Sequence, residues 1–164
     1  MGAAPEFRII RAFPAPRPLV FRAFTEHGHL ARWWGPQGFT VRACAVDARP
    51  GGTFHYGLQA PDGQVMWGKW WFRDVTPPER IVVVASFSTE EGGLARHPFS
   101  PSWPLETLST TTLAEEGGRT VVTLHATPLN ATDVEQAAFA NGTAAMGAGY
   151  RGTLDRLGAH LAQL

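Results

Sequence analysis

The chain has one cysteine, one lysine and no net charge in its 164 residues. Cys44 has no partner for an intrachain disulfide and cannot seed a cysteine-based metal cluster. As a nucleophile it would need a neighbour that stabilises the thiolate. Alternation places Arg42 and Val46 on its strand face and supplies no histidine. Lys69 is the single lysine, and 14 basic residues balance 14 acidic ones. That balance gives no electrostatic footprint for nucleic acid or for an anionic membrane surface. No apolar run approaches a membrane span. Arg8 and Arg11 interrupt the N-terminal apolar residues, so no signal-peptide core forms there. Met1-Gly2 opens like an acylation signal, but Glu6 stands where that signal needs Ser or Thr. The expected setting is the cytoplasm. No glycine-rich loop joins a strand to a helix, and no two histidines are spaced i, i+4, so neither a nucleotide, a cofactor nor a metal is expected.

What the chain does have is a long amphipathic C-terminal segment. Thr132-Asp133-Val134-Glu135 has the form of a capping box, in which the Thr hydroxyl accepts from the third helical N–H and the Glu reaches back. Behind it Phe139, Thr143, Met146, Tyr150, Leu154, Leu157, Leu161 and Leu164 recur at steps of four and three, which is one face of a helix. Over residues 132–162 such a helix runs about 45 Å. Gly142, Gly147, Gly149, Gly152 and Gly158 each cost roughly 1 kcal/mol relative to Ala inside a helix. Their accumulation predicts close approach to a sheet and a bend or break near Gly147–Gly149, between Met146 and Tyr150.

Everything before that helix reads as strands and turns. Phe7–Phe13 alternates loosely and predicts the first strand. Pro14, Pro16 and Pro18 then force an extended approach to a short helix. Thr25 is positioned to cap a second, carrying Leu30, Trp33 and Trp34, which Gly35-Pro36-Gln37-Gly38 stops. Further strands are predicted at 39–48, Thr53–Gln59, 65–75, 81–87, 103–113 and 120–127, separated by Gly/Pro turns and by a loop at 88–102. Successive hairpins of this kind make an antiparallel meander. The expected fold class is α+β: a curved antiparallel sheet of six to seven strands wrapped on one long helix, as a single domain over residues 1–164.

The motifs are specific in this order. Ala15-Pro16, Val20-Phe21-Arg22-Ala23-Phe24-Thr25, Leu30-Ala31-Arg32-Trp33-Trp34-Gly35-Pro36 and Asp47-Ala48-Arg49-Pro50-Gly51-Gly52 come first. Pro61-Asp62-Gly63, Pro77-Pro78-Glu79-Arg80-Ile81-Val82, and Met146, Gly149-Tyr150 and Leu154-Asp155-Arg156-Leu157 follow. Together they resemble the START-like (SRPBCC) superfamily with its helix-grip fold, and within it the branch of homologues of the heat-shock-chaperone ATPase activator. Where that branch usually has Trp, this chain has Tyr150, which keeps the ring and adds a hydroxyl. The resemblance implies a cavity between sheet and helix, often used for a hydrophobic small molecule. Some relatives cyclise or dehydrate polyketides there, and the branch name implies contact with a chaperone.

Six Trp, ten Phe and two Tyr supply the walls that such a cavity needs. On the strand through Met66 to Phe72, period two sets Met66, Trp70 and Phe72 inward, and Trp67, Lys69 and Trp71 outward. The candidate ligand-binding set is therefore Trp33, Phe54, Tyr56, Met66, Trp70, Phe72, Phe139, Met146 and Tyr150. The outward Trp pair is a candidate partner surface or homodimer contact. For catalysis the weak candidates are Glu106, His125 and Tyr150. A symmetric turn at 115–118 would set Leu108 opposite His125 and Glu106 opposite Thr127, making Glu106 and His125 diagonal neighbours capable of acid–base work. The face bearing Leu113, Val122, Leu124 and Ala126 is the more apolar, so Glu106 and His125 are expected to face solvent. Of the remaining histidines, His27 and His29 diverge on a short helix, and His55 alternates away from the inner face. His97 is expected as a solvated residue of the 88–102 loop, with the mouth of a pocket as the alternative, and His160 near the carbonyl end of the last helix. A binding module is the leading expectation, with a cyclase/aromatase-like enzyme or a chaperone-associated protein-binding module as alternatives.

Overall fold

A computed structural model describes residues 5–164. The first four residues, with the Met1-Gly2 start, lie outside the described residues. The chain runs β1 (Phe7–Phe13), α1 (Arg17–Thr25), α2 (His27–Trp33), β2 (Thr40–Val46), β3 (Thr53–Gln59), β4 (Val65–Thr76) and β5 (Arg80–Ser88). Then come β6 (Leu94–Ala95), β7 (Glu106–Glu116), β8 (Arg119–Leu129) and α3 (Asp133–Leu161). All strand pairs are antiparallel, in the order β1-β8-β7-β5-β4-β3-β2, with the two-residue β6 paired to the end of β5. This is the helix-grip arrangement: a curled half-barrel sheet holding α3, with α1 and α2 inserted before β2.

The inner face carries the core. Phe54, Trp70, Phe72, Val83, Leu113, Val122 and Leu124 are buried from the sheet side, and Phe139, Leu154, Leu157 and Leu161 from α3. Between them lie Phe24, Leu30, Trp33 and Trp34 of the α1–α2 segment. Trp33 anchors that segment by donating Nε1–H to Ala23 O at 2.8 Å, because a buried indole N–H needs a partner. Thr25 does not cap α2. Its hydroxyl turns back to Phe21 O at 3.0 Å, and Glu26 takes the N-cap position without a side-chain cap. Arg156 of α3 closes the far end of α2, its Nη1 donating to the carbonyls of Trp34, Gly35 and Pro36 at 2.9–3.3 Å.

The capping box forms at the start of α3. Glu135 N–H donates to Thr132 Oγ1 at 3.2 Å, and Glu135 Oε1 accepts from Thr132 N–H at 3.0 Å. The helix then runs unbroken for 29 residues, so the expected break near Gly147–Gly149 does not occur. Gly147 and Gly158 lie against the sheet, where a Cβ would stand 3.8 and 3.6 Å from Phe7 and Phe13 of β1, but the tightest approaches are elsewhere. A Cβ on Gly142 would lie 2.6 Å from the Trp103 ring and one on Gly152 3.2 Å from Gln37, both on connecting segments, whereas Gly149 has open space. Leu164, placed on the stripe by spacing, is 61% exposed because the helix ends at Leu161.

A β-bulge between Val41 and Ala43 corrects the expected face of Cys44. An extra residue in one strand resets its alternation. Val41, Cys44 and Val46 therefore all pack on the core, while Arg42 is exposed and no longer shares the thiol's face. Burial pushes the Cys44 thiol up, away from reactivity. The following turn is braced as its residues suggest: Arg49 Nε donates to Asp47 Oδ2 at 2.7 Å.

Candidate functional site

An open cleft of about 640 Å³ lies between the first half of α3, the end of β5 and the segment joining β6 to β7. That volume falls in the usual range for a small-molecule site. Its walls are Tyr56, Ala85, Ser86 and Phe87 from the sheet, His97, Ser100, Trp103 and Pro104 from the segment, and Thr107 from β7. Ala138, Asn141, Gly142, Ala145, Met146 and Tyr150 complete it from α3. Behind it, under Trp34 and Trp70, sits a narrower void of about 40 Å³. Ala85, Thr107, Met146 and Tyr150 border both spaces.

Each wall has a local cause. Tyr56 lies across from Gly68, its register partner on β4, and a Cβ on Gly68 would meet the Tyr56 ring at 2.4 Å. The ring occupies the room that glycine leaves. Phe54 at 4.8 Å and Trp34 at 5.6 Å, measured between ring centroids, hold it from the core side. On α3, Tyr150 stacks on Phe7 at 5.5 Å. Both tyrosines keep some accessible surface because they face the cleft, yet burial pushes both hydroxyls above the ordinary tyrosine range. They stay neutral donors at any physiological pH. The Trp34 indole N–H, although near Tyr56, makes no geometrically sound hydrogen bond. It is the one buried side-chain donor without a partner among the described residues.

The segment over the cleft is tied down at three places. Arg96 pairs with Glu135, the capping-box residue of α3, and also donates to Trp103 O at 3.4 Å. Trp103 packs on Phe139 at 5.3 Å. His97 Nδ1 accepts from Phe99 N–H at 3.0 Å, which leaves Nε2 as the protonated nitrogen of the neutral ring. Burial pushes its pKa below the ordinary histidine value. Ser86 Oγ donates to Leu105 O at 2.6 Å and fixes the segment's end to β5.

The nine expected ligand-binding residues divide. Tyr56, Met146 and Tyr150 line the cleft, and Trp33, Trp70, Met146 and Tyr150 line the void behind it. Phe54, Phe72 and Phe139 are at most 2% exposed and fill the core instead. Met66 pairs with Leu58 near the β3–β4 turn, away from both spaces. For His97 the alternative holds, since it lines the cleft. A loop residue without periodicity carries no sequence signal of where it folds back. Asn141 and Gly142 were missed because the cleft wall follows the entry edge of the helix stripe, not its centre, and Trp103 because it stands on the aperiodic segment before β7.

The expected Glu106–His125 contact does not form. The β7–β8 loop is the two residues Gly117-Gly118, with φ of 58° and 80°, the geometry of a tight hairpin turn. The register therefore pairs Thr110 with His125 and Glu106 with Leu129, two residues away from the expected pairing. His125 instead meets Glu6 across β1, Nε2 to Oε2 at 3.0 Å. The shift is even, so each side chain keeps its face, and both residues stay on the outer side of the sheet. Of the three weak catalytic candidates only Tyr150 borders the cleft. The outward Trp pair is partly covered. Trp67 stacks on His55 at 5.3 Å, and Lys69 Nζ lies 5.1 Å from the Trp71 ring centroid.

No helix among the described residues is long and apolar enough to cross a membrane, and no group of three or more potential metal ligands assembles. A curled sheet gripping a long helix, with a cleft opening beside the helix, defines a START-like domain. Residues 14–162 match the family model of the Activator of Hsp90 ATPase homolog 1-like proteins, and the chain belongs to that family. A solution structure from Arthrobacter aurescens superposes with a TM-score of 0.79 at 25% identity, over 98% of this chain and 88% of that one. A crystal structure from Rhodobacter sphaeroides gives 0.79 at 21% identity, over 100% and 97%. The AHSA1 protein of Silicibacter pomeroyi gives 0.74 at 20% identity, over 96% and 98%. No curated protein matches the sequence.

Proposed function

We propose that this protein binds a hydrophobic small molecule in the cleft beside α3. The observation that carries the reading is the wall chemistry. A space of about 640 Å³ is bounded by aromatic rings and small side chains, with no Asp, Glu, Lys or Arg among its lining residues. Apolar surface of that kind gains free energy when a ligand replaces water, at about 25 cal/mol per Å². The polar groups are uncharged and of the orienting type: Ser86, Ser100, Thr107, Asn141, His97 and two neutral tyrosines. With Glu106 and His125 on the outer face, a cyclase-like reaction has only Tyr150 left of its candidates. Binding without chemistry is therefore the stronger reading.

Ala145 lines the cleft and is solvent-exposed on α3. An Ala145→Trp variant fills the space while leaving the buried stripe intact. Native mass spectrometry and thermal shift against lipid and polyketide panels should give ligands that raise the melting temperature of the parent protein. The same ligands should no longer shift Ala145→Trp. A panel without a stabilising ligand, or one whose effect survives the filled cleft, counts against the proposal.

A further inference from the structure

We infer that the inner void reads an uncharged oxygen on the ligand, so that the preferred ligand is a neutral, oxygen-bearing aromatic or alicyclic molecule rather than an acid. This rests on the cleft reading above and adds the chemistry of its deep end. Thr107, Ser109 and Thr111 stand at alternate positions of β7, so all three face inward. They form a row of hydroxyls along one wall of a void whose other side chains are mostly apolar, with Tyr150 and Thr153 of α3 carrying the remaining hydroxyls. Thr107 Oγ1 donates to Ala85 O at 3.4 Å, yet hydroxyls in succession on a core-facing strand are not what packing alone selects, since buried polar groups cost free energy without partners.

The Trp34 indole forms another wall, and its buried N–H has no hydrogen-bond partner. An unpaired buried donor of this kind costs free energy that a ligand oxygen would recover. Tyr150, held neutral by burial, borders both the void and the cleft. The void holds about 40 Å³. That is room for a water or two, or for the terminal oxygenated group of a molecule whose body lies in the cleft. Ala85, Thr107, Met146 and Tyr150 line both spaces and are the side chains that stand between them. No cation lines either space, so a carboxylate entering the void would be buried without a counter-charge. A ketone or hydroxyl meets donors alone or donor–acceptor hydroxyls, which satisfy it.

The test is a matched series titrated calorimetrically at pH 7: 2-acetylnaphthalene, 2-ethylnaphthalene and 2-naphthoate. The ketone should bind at least tenfold tighter than the hydrocarbon and than the acid. In a Ser109→Ala/Thr111→Val variant, the ketone should fall to the affinity of 2-ethylnaphthalene while 2-ethylnaphthalene itself is unchanged, which also reports that the variant is folded. Equal binding of all three, or tightest binding of 2-naphthoate, overturns the inference and leaves the cleft reading standing. No binding of any of the three by the parent protein overturns both. Should the double variant fail to fold, the ranking on the parent protein decides.

Discussion

Gly68 shapes the cleft from beneath. Residues directly opposite each other on antiparallel strands compete for the same space above the sheet, and Gly68 yields all of it to Tyr56. The mirror arrangement occurs one residue on, on the other face: Gly57 pairs with Trp67, and a Cβ on Gly57 would lie 2.8 Å from the Trp67 ring. Gly68→Ala is therefore an overpacking substitution, expected to cost about 1–3 kcal/mol and to drive the Tyr56 ring toward the cleft. Thermal denaturation should show the loss of stability, and cleft ligands should bind more weakly than to the parent protein. Unchanged stability and binding would mean that the Tyr56 ring has another place to go. At this scale the sequence was informative where periodicity speaks. Tyr56, Met146 and Tyr150 follow from alternation and from the helix stripe. His97 and Trp103 do not, because a segment rich in Pro, Gly and Ser has no period to read. The free indole N–H of Trp34 is a property of packing alone.

The start of α3 does two things at once. The capping box satisfies the helix's first donors, and Glu135 also receives Arg96 from the segment that covers the cleft. Removing the Thr132 hydroxyl with Thr132→Ala should cost about 1 kcal/mol, or about 2–4 °C in melting temperature for a protein of this size. Arg96→Met should do something different, freeing the segment while leaving the helix cap in place. Amide hydrogen exchange separates the two. In Arg96→Met, faster exchange should be confined to residues 96–105, with α3 protected as before. In Thr132→Ala it should appear in the first turn of α3. Acid acts through the same carboxylate. Its hydrogen bond to the Thr132 backbone, and then Arg96, hold the Glu135 pKa below the ordinary glutamate value. A depressed pKa in the folded state contributes stability above the unfolded value of about 4.5, lost as pH falls through the folded one. Elements of this kind were legible from sequence because capping boxes are local. The β7–β8 register was not. A turn through Glu115-Glu116-Gly117-Gly118 and one through Gly117-Gly118 alone leave the same apolar pattern facing inward. Only the glycine pair's left-handed backbone chooses between them.

Across the whole molecule, α3 is held at both ends by contacts that no local pattern announces. Arg96 holds its first turn; at its last turn His160 meets His29 of α2, Nε2 to Nδ1 at 2.8 Å, across a sequence separation of 131. One imidazole must donate and the other accept, so the contact requires at least one neutral ring. His160 is only 7% exposed. Burial, then His29, then Arg32 hold its pKa below the ordinary histidine value of 6.5. Glu26, 3.7 Å from the other nitrogen of His29, is the nearest counter-charge. A histidine that binds its proton less readily folded than unfolded stabilises the fold above about pH 6.5, and that stability is lost as pH falls through the folded value. The melting temperature should therefore decline from pH 7 to pH 5, before most carboxylates begin to titrate. His160→Gln keeps a group that can both donate to and accept from His29 but cannot ionise. Its melting temperature should change less over that interval than that of the parent protein, whatever its value at pH 7. Equal slopes would place the acid sensitivity elsewhere. A smaller slope would show that the clamp between α2 and α3 couples the end of the gripping helix to proton concentration.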